Sequence, residues 1–192
     1  MLIAVTGSFA SGKTTFCRLL EKDGSKVFYA DEFVSRLYTK GKILSKVRET
    51  FGSGVFSNGT IDKRALAQKA FSSKSALEKL NSIIHPHVRK ALKEIRHEGK
   101  IVFAEVPVLF ESGMDSLFDE IILLKCQENV AIARALKSGF PREEFLARCA
   151  FQLHAHGKEK KADFVVDSDC PISALRSKAQ SISRELTKIL LK

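Results

Sequence analysis

The chain has no tryptophan and only two tyrosines among 192 residues. Proteins that hold single-stranded nucleic acid stack bases on aromatic side chains set among basic ones. A sequence this poor in Trp and Tyr, with no basic run of five or more residues, argues against that class. Even Lys158-Glu159-Lys160-Lys161 is interrupted by an acid. Cys17, Cys126, Cys149 and Cys170 lie far apart, with no C-x-x-C pair and no histidine at ligand spacing. That pattern rules against a zinc site or a disulfide scaffold and fits free thiols in a reducing compartment. No apolar run approaches the ~20 residues of a membrane helix. The amino terminus is uncharged in sequence and runs straight into a loop motif, so no signal peptide is expected. A cytoplasmic protein with no membrane partner is the expectation.

What remains is ordinary for a globule: 44% hydrophobic and 28% charged residues, in a chain long enough for one α/β domain with insertions. The net charge of +10 admits three readings: a nucleic-acid surface, pockets for a polyphosphate, or lysines that merely solvate helix faces. The last accounts for most of them.

The informative stretch is Gly7-Ser8-Phe9-Ala10-Ser11-Gly12-Lys13-Thr14, which fits G-x-x-x-x-G-K-[ST]. Leu2-Ile3-Ala4-Val5-Thr6 before it reads as a buried strand. Lys13 to Leu20 after it reads as a helix with Phe16, Leu19 and Leu20 on one face. Gly7 and Gly12 allow backbone angles that turn successive N–H groups inward around an anion. The helix start adds its free N–H groups and dipole. Lys13 would reach the β- and γ-phosphates, and the Thr14 hydroxyl would ligate Mg²⁺. A nucleoside-triphosphate site, with ATP and Mg²⁺, is the expectation, contacting Gly7, Ala10, Ser11, Gly12, Lys13, Thr14 and Thr15.

Lys26 to Ala30 is a second strand with Asp31 at its carboxyl end, the end where open parallel sheets bind ligands. Asp31 suits either a functional carboxylate or the N-cap of a helix through Leu37, and the two are compatible. From Gly41 to Gly99 the pattern is helical, with no convincing strand. One helix carries Ile43, Val47 and Phe51, and another starts at the cap Asp62. A third carries Leu77, Leu80, Ile83 and Ile84 until His85-Pro86 breaks it, with Pro86 opening a further helix to Gly99. His85 is then a helix-boundary residue or a functional one. Lys100 to Ala104 is the third strand, and the acid that ends it, Glu105, can hold Mg²⁺. Further strands lie around Ile121–Leu124 and over Asp163–Asp167. Between them, Arg142 to Leu153 reads as a helix. Arg134, Lys137, Arg142, Arg148 and Lys158 form either a lid that closes on a triphosphate or a solvated helix face. The last helix, Ile172 to Leu191, should put Leu175, Ala179, Ile182, Leu186 and Ile189 towards the sheet.

Several of these stretches together resemble one family. Ala30-Asp31 with Arg36, Ile84-His85-Pro86, and above all Val106-Pro107-Val108-Leu109-Phe110-Glu111-Ser112-Gly113 are similar to the motifs of dephospho-coenzyme A kinases. Pro141-Arg142-Glu143-Glu144 with Arg148 and Gln152 resembles that family's lid, and Lys161 to Asp167 its last strand. The resemblance implies a three-layer P-loop NTPase fold of class α/β. A parallel five-stranded sheet forms its core (1–31, 100–136 and 160–192), with a helical acceptor-binding insert (32–99) and a helical lid (137–159). It implies ATP-dependent phosphorylation of the ribose 3′-hydroxyl of dephospho-coenzyme A, with two small-molecule substrates and no nucleic acid. It also implies roles. Asp31, Lys13 and Arg142 would be catalytic, Arg148 would hold the nucleotide, and Thr14 and Glu105 the metal. Asp31, Arg36, His85, Pro107, Leu109, Phe110 and Glu111 would hold the acceptor. Four positions depart from the family pattern: Ala10 for Gly, Tyr29 for the first acid of D-A-D, Ser168 for Asn, and a lid shorter by one residue around Lys137-Ser138-Gly139.

Overall fold

The computed structural model describes residues 1–96, 100–152 and 155–191. The helix ends expected at Gly99 and Leu153 lie outside the described residues. In chain order the elements are β1 (Leu2–Gly7), α1 (Lys13–Lys22), β2 (Lys26–Tyr29), α2 (Ala30–Leu37), α3 (Gly41–Phe51), β3 (Phe56–Ser57), β4 (Thr60–Ile61), α4 (Lys63–Ala70) and α5 (Lys74–Arg96). They continue with β5 (Val102–Glu105), β6 (Glu120–Lys125), α6 (Glu128–Lys137), α7 (Arg142–Cys149), α8 (Ala155–Glu159), β7 (Phe164–Asp167) and α9 (Ile172–Leu190). They form two compact units, Met1–Tyr29 with Lys93–Lys192, and Ala30–Leu92.

The first unit is built on a parallel sheet of order β2-β5-β1-β6-β7, the five-stranded sheet expected from the sequence. Its central strand, β1, is buried along its whole length, as a parallel strand covered on both faces must be, which is why it reads as an unbroken apolar run. Val5 lies opposite Glu105 on one side and Ile122 on the other. That register brings the end of β1 and the acid ending β5 to the same sheet edge. Helices α1 and α9 share a core with the sheet: Phe16, Cys17, Leu20, Leu175, Ala179 and Leu186 join Ile3, Val5, Phe103 and Ile122. Ile182 packs partly against it, but Ile189 is 39% exposed. The expected inward stripe therefore ends at Leu186, beyond which the apolar residues of α9 are exposed.

The second unit is helical. Ile43, Val47 and Phe51 are the buried stripe of α3. Asp62 caps α4 by accepting from the Arg64 and Ala65 amides at 2.9 and 3.1 Å. Two expectations fail here. Residues 56–61 form an antiparallel hairpin through Asn58 (φ +50°) and Gly59 (φ +77°), the Asn-Gly signature of a two-residue turn. Helix α5 also runs unbroken through Pro86. An interior proline costs about 3 kcal/mol. Here Ile84, Val88 and Leu92 continue one buried stripe across it, and each buried side chain returns about 1.5–3 kcal/mol.

Candidate active site

The phosphate loop spans the gap between β1 and α1. Gly7 has φ +151°, and a Cβ there would stand 2.3 Å from the Leu124 carbonyl oxygen, a backbone atom that cannot yield. Gly12, at φ +87°, is the N-cap of α1 and leaves it without a side-chain cap, so the first-turn amides stay available to an anion. Ala10 also takes the left-handed conformation, at φ +60°. The Cβ that replaces the family's glycine therefore carries strain but removes no donor. Ser11 is buried. Thr15 is exposed on the first turn of α1.

Lys13 is buried, and its Nζ donates to the Ser8 carbonyl across the loop at 2.8 Å. The Thr14 hydroxyl donates to Glu105 Oε1 at 2.7 Å, and Glu105 is 8% exposed at the end of β5. Two residues picked from separate motifs thus meet where α1 starts and β5 ends. The Cys17 thiol, on the buried face of α1, is pushed up by burial and then by the Glu105 charge, so it is inert packing. Tyr29 turns away to α1, donating its hydroxyl to Glu21 at 2.8 Å. Burial and that bond push the phenol up.

On the other flank, Ser168 is buried and joins three elements. Its hydroxyl donates to the Ser11 carbonyl at 2.8 Å and accepts from Arg134 Nη1 at 3.0 Å. Its own carbonyl accepts from Arg134 Nη2 at 2.8 Å. The serine that replaces the family's asparagine is therefore a fixed support for the loop. The segment after β5 turns on itself through Ser112 to Val108 and Met114 to Leu109 backbone bonds. Leu109 and Phe110 are buried, and Pro107 is half-buried. Glu111 is ion-paired to the fully buried Lys158 of α8 at 2.9 Å.

Arg142 opens α7 and is exposed. Arg148, one turn and more along, lies over the rings of Phe9 and Phe140, at 4.9 and 5.1 Å from their centroids. It also pairs with Glu144 at 2.8 Å. The Phe9 amide donates to Gln152 Oε1 at 3.1 Å. Sequence reasoning missed Phe9 and Phe140. Their one signal was aromatic identity at a variable loop position and beside a turn.

The helical unit carries the remaining predicted residues. Asp31 sits exposed in the first turn of α2, and since the helix already starts at Ala30, it is not the N-cap. Its carbonyl accepts from Ser35 Oγ at 2.8 Å. Arg36 is paired with Glu32 at 3.9 Å on an exposed face. His85 lies half-buried within α5 rather than at a helix boundary. Burial, and secondarily Arg89, hold its imidazole below the usual histidine range.

Comparison with known proteins identifies the family. The dephospho-CoA kinase family model matches residues 1–173. Dephospho-CoA kinase of Fusobacterium nucleatum is 33% identical over 184 residues, covering 94% of this chain and 95% of that protein. The Carboxydothermus hydrogenoformans enzyme of the same name is 35% identical over 189 residues, covering 94% and 92%. Among solved structures, TT1252 from Thermus thermophilus superposes with a TM-score of 0.82 at 31% identity, over 97% of each chain. With its phosphate loop, its parallel sheet and a match along nearly its whole length, the chain belongs to the dephospho-CoA kinase family.

Proposed function

We propose that the loop between β1 and α1 performs this family's reaction with the residues in the following roles. The chain transfers the γ-phosphoryl group of ATP to the ribose 3′-hydroxyl of dephospho-coenzyme A, giving coenzyme A and ADP. Gly7, Ala10, Ser11, Gly12, Lys13, Thr14 and Thr15 hold the phosphates, and Lys13 exchanges the Ser8 carbonyl for a phosphate oxygen. Thr14 and Glu105 offer a hydroxyl and a carboxylate oxygen side by side, hard donors of the kind Mg²⁺ takes, so these two residues would hold the metal. When bound, Mg²⁺ neutralises charge on the β- and γ-phosphates.

Asp31 orients the attacking hydroxyl and receives its proton late in the transfer. A free aspartate titrates near 3.9 and is a weak base at neutral pH, so positioning is its larger contribution. Arg36 and His85 bind the acceptor, as do Pro107, Leu109, Phe110 and Glu111 of the loop after β5. Arg142 and Arg148 bring positive charge to the migrating phosphoryl group, where preorganised charge is worth most. Four free thiols suit a reducing cytoplasm.

The observation that carries this reading is the Thr14–Glu105 hydrogen bond, which joins the first turn of α1 to the carboxyl end of β5. The test is ADP release at fixed ATP and Mg²⁺ with dephospho-coenzyme A, adenosine, AMP, CMP or shikimate as acceptor. Turnover with dephospho-coenzyme A alone is expected. Equal or faster turnover with a short acceptor overturns the assignment.

A further inference from the structure

A single phosphate-loop residue receives two contacts from the lid, through two different parts of itself. The Phe9 ring faces the Arg148 guanidinium at 4.9 Å, and the Phe9 amide donates to Gln152 Oε1 at 3.1 Å. Arg148 and Gln152 are four positions apart, and the turn continues between them through the Ala150 to Leu146 and Gln152 to Cys149 backbone bonds. Arg148 is in the last turn of α7 and Gln152 lies in the turn just beyond it, and both reach Phe9. Phe140, in the turn before α7, completes the arrangement. Its ring stands edge-on to Phe9 at 5.1 Å and 88°, and it lies 5.1 Å from the same guanidinium. Phe145 closes the cluster beneath, 5.9 Å from Phe9, on Ala131 and Ala135 of α6.

We infer that Phe9 is a positioning residue for Arg148: its aromatic face holds the lid arginine over the phosphate loop before nucleotide arrives. A guanidinium set against both members of a ring pair is attracted by their quadrupoles and keeps its charge. Glu144 holds the guanidinium from its own helix, but without the rings its orientation over the loop must be fixed during closure, at the cost of rotamer freedom. The ring belongs to the loop that binds the phosphates. Loop and arginine are therefore registered to each other through Phe9. A leucine of similar apolar character would fill the cluster but present no π face.

This rests on the reading of Arg148 as a residue that acts on the triphosphate, and the experiment separates the two. Phe9→Leu, Phe9→Tyr, Arg148→Met and the double variant Phe9→Leu/Arg148→Met are compared in steady-state assays, with melting temperatures recorded. We expect Phe9→Leu to lower kcat about five- to tenfold, with the KM for dephospho-coenzyme A within twofold and Phe9→Tyr near wild type. In the Arg148→Met background, Phe9→Leu should change kcat by less than twofold. If Leu at position 9 prevents folding, Phe9→Met takes its place in the same cycle. An unchanged kcat in Phe9→Leu, or multiplicative losses in the double variant, overturns the inference. An unchanged kcat in Arg148→Met overturns the reading of the arginine itself, and the inference with it.

Discussion

Thr14 and Glu105 are 91 positions apart in the chain, and the threonine hydroxyl donates to the glutamate carboxylate at 2.7 Å. Neither residue could be placed beside the other by local structure. The parallel register of β1 with β5 does it, by pairing Val5 with Glu105. Glu105→Gln keeps the shape and removes the charge. It is expected to raise the Mg²⁺ concentration for half-maximal turnover about ten- to a hundredfold, the usual scale for a perturbed metal shell. A metal titration of the variant with an unshifted midpoint would show that Glu105 does not serve the metal.

Asp31 is exposed in the first turn of α2, two residues beyond the end of β2. Asp31→Asn is expected to lower kcat by a factor of about 10²–10⁴, the range for a lost acid–base group, while the KM for ATP moves only a few-fold. A kcat within a few-fold of wild type sinks the assignment.

Lys158 is fully buried and meets Glu111 at 2.9 Å. Removing one partner of such a pair leaves the other charge in a medium that cannot solvate it, at a cost of about 3–5 kcal/mol. Lys158→Met should therefore lower the urea midpoint strongly. The double replacement Lys158→Met/Glu111→Leu should recover most of the loss. Equal destabilisation in single and double variants would mean the pair is not the source.

Ala10 has φ +60°, a conformation that costs a residue with a Cβ about 1–2 kcal/mol. Ala10→Gly removes that strain and adds about 0.4–1 kcal/mol of unfolded-chain entropy. The expected net gain is between zero and about 1.6 kcal/mol, at about 2–4 °C in Tm per kcal/mol for a chain of this size. A lower Tm in the glycine variant refutes the strain.

His85 has its pKa lowered, first by burial and then by Arg89. The unfolded chain takes up a proton near pH 6.5, which the folded chain refuses until lower pH. The unfolded state thus binds more protons in that window, and stability rises with pH across it. The contribution is complete above about 6.5 and is lost as the pH falls. Urea midpoints at pH 5.5 and 7.5 should differ less in His85→Gln than in the wild-type chain. An identical difference in both proteins assigns the acid sensitivity elsewhere.

Much of this molecule was legible in its residues because the signals are short-ranged. A phosphate loop, a helix cap such as Asp62 and the stripe Ile43-Val47-Phe51 each depend on residues within a turn or two. The apolar run of β1 announced a strand covered on both faces. The Asn58-Gly59 turn was equally local, but two-residue strands are too short to show alternation. What only the tertiary structure decided are features whose partners are distant in sequence. A buried stripe carried α5 through Pro86, where the local rule called for a break. Phe9 met Gln152 across 143 positions, and Ser168 met Ser11 across 157. Lysine at 158 reads as a surface residue in any composition, and the carboxylate of Glu111 is what allows its burial. Local propensity specifies elements. Which side chains face one another at the sheet edge is set by strand order and register, and these follow from burying the whole core at once.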